Sequence, residues 1–321
     1  MEYKSYYCDL EDVLEQLKKY GVAVIKNIIN ENECNEYINK AWKNFNTLTS
    51  KMKIPIRQDK SESWKTFYEL YPLHSMLLQH WGVGQWDFLW DIRCNKNVIN
   101  VFTKIWNCEN NDLLTSFDGF SFHLPPEQTG RGWYRGNDWL HTDQSSEKKK
   151  LYTVQGFVTL YDINKYDATL CIFEGSHKSH EAFFKDHNIT IKKDWYRLDK
   201  KTQYEYLKNK GHEQKCVLAE KGSIVLWDSR LFHQGIEPQR ERTEPNTRLI
   251  VYTCMTNRNR ARPCDLKKKQ KAFNEQRMTT HCPHKPILFG KTPRTYGNEL
   301  PKITMLPKVE LNEIGKRLAG F

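Results

Sequence analysis

The chain has 321 residues, of which 38% are hydrophobic, and a formal net charge of +11 at pH 7. This length permits one large domain or two small ones with a substantial core. No apolar run approaches the roughly 20 residues of a membrane-spanning helix, and the residues after Met1 lack the apolar stretch of a signal peptide, so we expect a cytoplasmic protein with no membrane partner.

An amphipathic pattern near the start predicts a helix over residues 10–19 that stops at Gly21. The apolar residues 22–25 then predict a buried strand.

A capping box predicts the next helix, because Asn30 is followed three residues later by Glu33. This second helix should cover residues 31–46. Two further helices are expected near residues 73–81 and 95–106, flanking a central sheet.

A series of short apolar segments dominates the middle of the chain and predicts strands. Short strands joined by turns, without regularly alternating helices, indicate an antiparallel sandwich or jelly roll, mainly β with flanking helices. The predicted strands are residues 117–124, 139–143, 153–161, 169–173, 215–218, 223–227 and 248–254.

A glycine-rich loop is expected over residues 125–137. It carries Trp133 and Tyr134, which either cover a substrate or pack on the sheets.

These patterns predict a single domain over residues 1–321. Residues 1–115 provide helical and strand support, and residues 116–256 form the jelly-roll core. Residues 176–213 interrupt the core as an insertion, and residues 257–321 form a basic, proline-containing tail that wraps it.

The cysteines argue against a disulfide-based fold. There are nine, an odd number, and none forms a Cys-x-x-Cys pair, which fits a reducing compartment. The segment from His281 to His284 contains metal-binding residue types. A structural zinc site needs four ligands and no second cluster is suitably spaced, so ordinary packing or surface roles are the favoured interpretation.

The positive charge raises the question of an acidic partner. Dense basic runs occur only at residues 148–150, 192–193 and 267–271, and such a run usually forms a solvated surface. Nucleic acid stays open as a partner on net charge alone.

His141-Thr142-Asp143 is the only His-x-Asp in the chain. Residues two apart on a strand share a face, so the imidazole and the carboxylate converge. His233 follows Asp143 by 90 residues, after another predicted strand. Two imidazoles and one carboxylate leave three positions open on an octahedral Fe(II), two for a 2-oxo acid and one for O2. Each histidine alone would more often be structural; the combination favours a metal site.

Arg248 lies 15 residues after His233 and begins a predicted strand. Its guanidinium can pair bidentately with the distal carboxylate of 2-oxoglutarate and stays charged when buried. The competing residues Arg240 and Arg242 lie in a hydrophilic loop that we expect to be exposed. A surface ion pair is the alternative role for Arg248.

These segments resemble the phytanoyl-CoA dioxygenase family of Fe(II)- and 2-oxoglutarate-dependent oxygenases, and the resemblance covers residues 20–255. It implies a double-stranded β-helix (jelly roll, cupin-like), Fe(II), 2-oxoglutarate as co-substrate, and ascorbate as an optional reductant. The residues that carry it are His141–Asp143, Gly156–Asp162, Ala168–Lys178, Lys221–Asp228, His233–Gly235 and Arg248.

Three further residues lie on strands beside the triad. His123, Gln155 and Phe157 are candidates for contact with the co-substrate or the product, and a role in the core or wall is the favoured interpretation for each. His177, in the Gly-Ser-His-Lys stretch, follows a turn away from the metal face and is expected to be structural.

The leading hypothesis for function is a dioxygenase that hydroxylates a small molecule and releases succinate and CO2. The basic charge suggests an anionic or acyl substrate. The alternatives are an oxygenase that modifies nucleic acid or a protein side chain, and a catalytically silent jelly-roll binding module. The sequence leaves the substrate and the oligomeric state open.

Overall fold

The computed structural model describes residues 1–321. Its strands are β1 (Glu2–Ser5), β2 (Val22–Ile25), β3 (Leu77–Leu78), β4 (Leu113–Thr115), β5 (Phe120–His123), β6 (His141–Thr142), β7 (Val154–Thr159), β8 (Thr169–Phe173), β9 (Tyr196–Arg197), β10 (Gln214–Leu218), β11 (Ile224–Asp228), β12 (His233–Ile236), β13 (Arg248–Tyr252) and β14 (Met255–Asn257). Its α-helices are α1 (Val13–Tyr20), α2 (Glu31–Leu48), α3 (Asp87–Cys94), α4 (Lys96–Trp106), α5 (Pro126–Thr129), α6 (His180–Asp186), α7 (Lys201–Asn209), α8 (Pro263–Asn274) and α9 (Glu313–Ala319).

Most of the strands belong to two six-stranded sheets. Sheet I has the order β1-β10-β8-β12-β6-β9, and sheet II has the order β2-β11-β7-β13-β5-β3. From β5 to β8, and again from β10 to β13, successive core strands alternate between the two sheets. This winding is the double-stranded β-helix of cupin-like jelly rolls, so the predicted fold class, mainly β with flanking helices, is confirmed.

The two faces of sheet II contact different neighbours. In β7, Phe157 belongs to an apolar cluster shared with Ile172 of sheet I. The next residue, Val158, belongs to a larger cluster with α2, α3, α4 and Leu318 of α9. Successive strand residues face opposite sides, and both sides are buried here, which explains the unbroken apolar runs of β2, of residues 224–227 in β11 and of residues 249–251 in β13.

The helices begin and end where the sequence signals lie. Gly21 ends α1 in the left-handed region, with φ of 80°. Asn30 and Glu33 form the predicted capping box at the start of α2. The predicted helix near residues 95–106 is confirmed as α4.

The predicted helix over residues 73–81 is wrong. His74 and Ser75 have φ values of 49° and 58°, which a right-handed helix excludes, and the segment instead contains the short strand β3. No sequence pattern predicted α3 or the 3-10 helix Ser61–Leu70.

The insertion and the tail both attach to the jelly roll. The insertion contains α6, α7 and β9, and Arg197 of β9 pairs with His141 of β6. The tail contains α8 and α9, and the segment around His281 reaches a cavity between the sheets. None of the helices is both long and apolar enough to cross a bilayer.

Candidate active site

Three potential metal ligands meet at neighbouring strands of sheet I. His141 of β6 is the register partner of His233 of β12, and Asp143 directly follows β6. The Nε2 atoms of His141 and His233 lie 3.5 and 3.4 Å from Oδ2 of Asp143. One ligand atom from each residue lies within 4.8 Å of the others, and no other group of His, Cys, Asp and Glu side chains in the protein does this.

Hydrogen bonds orient both imidazoles. Nδ1 of His141 lies 3.2 Å from the carbonyl oxygen of Trp139, and Nδ1 of His233 lies 2.9 Å from that of Leu231. A carbonyl only accepts, so each Nδ1 carries the proton and each Nε2 presents a lone pair. The indole N–H of Trp227 donates to Nε2 of His233 at 3.2 Å, which agrees with this tautomer. Such supporting bonds are typical of metal-ligating histidines.

The protonation states also suit a metal. Burial, together with the neighbouring His233, lowers the pKa of His141 and favours its neutral form. Burial alone would raise the pKa of Asp143, but His141, His281 and His233 outweigh it and hold this pKa well below its usual range. Metal binding needs neutral imidazole and ionised carboxylate. The donor set of two nitrogens and one oxygen fits Fe(II).

Gln155 lies on β7 and connects the facing sheet to the triad. Its Nε2 donates to Oδ2 of Asp143 at 2.9 Å. The bond crosses from sheet II to sheet I, so it fixes the orientation of the carboxylate.

Arg248 begins β13 and lines the same cavity. It is 5% exposed, its Nε has no hydrogen-bond partner, and its Nη1 lies 3.3 Å from the sulfur of Met76. The guanidinium lies 5.5 Å from the ring centre of Phe157, and burial lowers its pKa. A buried, unpaired cation is costly, so this arrangement calls for an anion in the cavity.

The two other candidates for binding 2-oxoglutarate, Arg240 and Arg242, contact residues outside the cavity. Arg242 donates to the carboxylate of Glu127 and lies 3.4 Å from that of Asp167, and Arg240 lies over Trp133 at 5.1 Å. The expectation that Arg242 is exposed is wrong, because these ion pairs hold it in a buried position.

His123 does not line the cavity, although it is the register partner of Arg248 on β5. Its Nε2 lies 3.0 Å from the carbonyl oxygen of Gly132, and burial lowers its pKa to about 3. Gly132 has φ of 91°, and a Cβ there would lie 2.6 Å from this Nε2. The structure therefore brings together, around one cavity, His141, Asp143, His233, Arg248, Gln155 and Phe157. His123 lies outside this cavity and contacts the loop that contains Gly132.

The remaining histidines of the sequence analysis are mostly structural. His177 contacts the carbonyl oxygen of Lys18 at 3.1 Å, away from the triad, as expected. His284 hydrogen-bonds to the hydroxyls of Tyr152 and Thr256, so it does not form a zinc site with its neighbours. Only His281 of this segment reaches the cavity.

The cavity has a volume of about 470 Å³, and the sequence analysis missed much of its wall. Trp139 stacks between His141, at 4.6 Å, and His74, at 3.9 Å. Strand alternation could have placed Trp139 beside His141, since it lies two residues earlier. No sequence signal marks Asp118 or Trp195, which also line the cavity.

Known proteins resemble the chain over most of its length. The "Ava biosynthesis cluster protein O" of Aspergillus versicolor is 26% identical over 294 residues, with 88% of each chain covered. The Dictyostelium discoideum protein named "Putative phytanoyl-CoA dioxygenase" is 25% identical over 258 residues, with 68% of each chain covered. The crystal structure of GlcNAc Inducible Gene 2 from Candida albicans has a TM-score of 0.61 at 14% identity and covers 98% of this chain and 79% of its own, a likeness of fold.

A family model places the chain more directly. The model described as "Phytanoyl-CoA dioxygenase (PhyH)" matches residues 17–237, a range that contains strands β2 to β12 and all three potential metal ligands. Because this match covers more than half of the chain, the protein belongs to the phytanoyl-CoA dioxygenase family of oxygenases.

Proposed function

We propose that the protein is an Fe(II)- and 2-oxoglutarate-dependent dioxygenase that hydroxylates a small molecule and releases succinate and CO2. The observation that carries this proposal is the pairing, in one cavity, of a His-Asp-His cluster with a buried arginine that has no anionic partner. Together the two features would suit the metal-binding end and the distal carboxylate of 2-oxoglutarate.

In this proposal His141, Asp143 and His233 hold Fe(II). Iron and 2-oxoglutarate, when bound, supply the oxidising chemistry. The side chains of the protein position them: the carbonyls of Trp139 and Leu231 hold the histidine tautomers. A metal at Nε2 of His233 would take the lone pair that Trp227 now contacts.

Arg248 binds the distal carboxylate of 2-oxoglutarate. Its guanidinium is planar and its position on β13 is rigid, so a bidentate pair with that carboxylate needs little reorganisation. The ring of Phe157 packs against the guanidinium of Arg248. Gln155 hydrogen-bonds to Asp143, near the place where the metal-binding end of the co-substrate would lie. We assign His123 a positioning role, since it holds Gly132 next to the strand of Arg248.

The dimensions of the cavity favour a small-molecule substrate. About 470 Å³ lies within the usual range for such sites. The basic run at residues 148–150 gives little support to nucleic acid, because Lys148 and Lys149 pair with Asp194 and Glu181. Residues 1–115 and 257–321 share the large core or line the cavity, so we propose that the whole chain is one catalytic unit.

Anaerobic titration with Fe(II) and 2-oxoglutarate tests the proposal. We expect the weak visible charge-transfer band of an iron-bound 2-oxo acid, and succinate formation when O2 is admitted. Asp143→Ala should lower iron affinity by more than about a hundredfold, beyond the usual effect of supporting residues, and abolish the band. Asp9→Ala removes an exposed carboxylate far from the cavity and should change neither. An unaltered protein that shows no band would refute the proposal.

A further inference from the structure

The cavity has an unusual charge distribution for so basic a protein. Arg248 is the only lysine or arginine among its lining residues. With the function proposed above, the charges of iron and Arg248 balance those of Asp143 and of the two carboxylates of 2-oxoglutarate. No cationic lysine or arginine is then left to receive an anionic substrate.

Two further carboxylates line the cavity, and one of them is already neutralised. Asp194 accepts a hydrogen bond from the backbone N–H of Ser145 at 2.9 Å and lies 2.5 Å from the ammonium of Lys148. It is therefore part of the wall and offers little to a ligand.

Asp118, immediately before β5, is differently placed. Its Oδ2 accepts a hydrogen bond from Ser116 at 2.8 Å, and its Oδ1 has no partner in the protein. The side chain is enclosed by the wall but remains accessible from the cavity. A carboxylate oxygen in such a position is an acceptor that still lacks a donor.

Two buried cations lie behind Asp118, but their donors point elsewhere. Arg93 is 0% exposed and donates to the backbone carbonyls of Gly84 and Asp118 at 2.6 and 2.7 Å. The ammonium of Lys269 donates to the carbonyl of Thr115. Neither cation lines the cavity, so a ligand would meet the carboxylate and not the positive charges.

The environment of Asp118 also favours a donor as its partner. Burial raises the pKa of this carboxyl group to about 6, because His281, Ser116 and Arg93 offset only part of the effect of burial. A hydrogen bond donated by a ligand would stabilise the ionised form.

Much of the remaining rim is apolar or aromatic, beside the polar side chains of Gln79, Thr280 and His281. Leu73 and Phe289 lie outside the strands, Leu77 lies in the edge strand β3, and Trp195 comes from the insertion. Trp195 is 53% exposed, so its ring is accessible to a ligand at the rim. Such walls fit the apolar body of a substrate.

We propose that the substrate is a compound with an apolar body and an N–H or O–H group that donates to Asp118, and that it carries no anionic group. The inference rests on the proposed function, because it takes Arg248 to be engaged by 2-oxoglutarate. The net charge of the chain suggested an anionic or acyl substrate. The lining of the cavity argues against an acyl thioester that carries phosphates, because these phosphates would find no lysine or arginine inside it.

Three probes of similar shape test the inference. Isothermal titration calorimetry, under anaerobic conditions with Fe(II) and 2-oxoglutarate present, should give tighter binding of 2-phenylethylamine and 2-phenylethanol than of phenylacetate. We expect a difference of about tenfold, the effect of one hydrogen bond to a charged group. Equal or tighter binding of phenylacetate would overturn the inference, as would undetectable binding of both donor probes.

Asp118→Asn then tests the residue itself. It should remove most of the preference for the amine over phenylacetate, whereas Asp9→Asn, which removes the same charge at an exposed site, should preserve it. A preference unchanged by Asp118→Asn would refute the role of this residue. The ranking in the unaltered protein decides the substrate class even if this variant does not fold.

The charge-transfer band reports separately on the proposed function. A band together with the wrong ranking of the probes refutes only the inference about the substrate, whereas a missing band refutes both the inference and the proposed function.

Discussion

The His-Asp-His centre and the rim of the cavity are built from different kinds of structure. The side chains of the centre, together with those of Gln155 and Arg248, lie on strands β6, β7, β12 and β13, except that of Asp143, which directly follows β6. The backbone hydrogen bonds of the two sheets hold these strands in place. The rim uses Leu73, Trp195 and His281, which lie between regular elements. The reacting atoms therefore sit on a rigid frame, while the surface that meets the substrate lies on segments that tolerate change.

This difference predicts how substitutions will act. A change at the centre should alter binding of iron or 2-oxoglutarate for every substrate. A change at the rim should alter substrate binding and leave the co-substrate untouched.

Arg248→Met should give the largest effect. Removal of one partner from a buried charge pair costs about 2–5 kcal/mol, so the KM for 2-oxoglutarate should rise at least about thirtyfold. The protein without ligand should become more stable, because the unpaired buried cation is replaced by an apolar side chain of similar length. Steady-state kinetics and thermal unfolding measure the two effects. A lower Tm together with an unchanged KM would show that Arg248 is a structural residue.

Gln155→Leu tests the bond between the two sheets. The variant keeps the side-chain volume but removes the donor to Asp143, and residues that support a metal ligand typically change affinity by about tenfold to a hundredfold. We expect iron affinity to fall by about tenfold, as measured by anaerobic titration, with little change in far-UV circular dichroism. Gln16→Leu, at a site remote from the cavity that bonds only to a backbone carbonyl, serves as the control. Unchanged iron affinity would mean that Asp143 needs no such support.

The contrast between centre and rim also explains what the sequence could predict. Alternation along a strand placed His141 and Asp143 on one face, and Arg248 was found because it begins a short apolar run 15 residues after His233. The bounds of β2 and β8 were predicted correctly, since short apolar runs with turns at both ends have few other uses. The strand β12 was missed because its four residues, from His233 to Ile236, contain a glycine and two polar side chains.

The rim carried no comparable signal. A helix was expected over residues 73–81, but His74 and Ser75 adopt left-handed conformations, although neither is a glycine whose presence would mark such a backbone in the sequence. Asp118 and His281 are 163 positions apart in the sequence, and only the folded tail brings them to one cavity. The pairing of these two side chains therefore depends on the tertiary structure and has no signal in the sequence.

Trp195→Ala should give the smallest effect and tests the rim. An aromatic contact is worth about 0.5–1.5 kcal/mol. Because Trp195 is half exposed, we expect the lower half of this range, so the affinity for 2-phenylethanol should fall about twofold to fivefold in calorimetry. The charge-transfer band and the KM for 2-oxoglutarate should not change, because the ring of Trp195 makes only a tilted contact with His141, with centroids 6.2 Å apart. Tyr296→Ala, which removes another exposed aromatic side chain, is the control. A weaker band in Trp195→Ala would show that the rim and the centre are one unit, and the distinction between them would have to be abandoned.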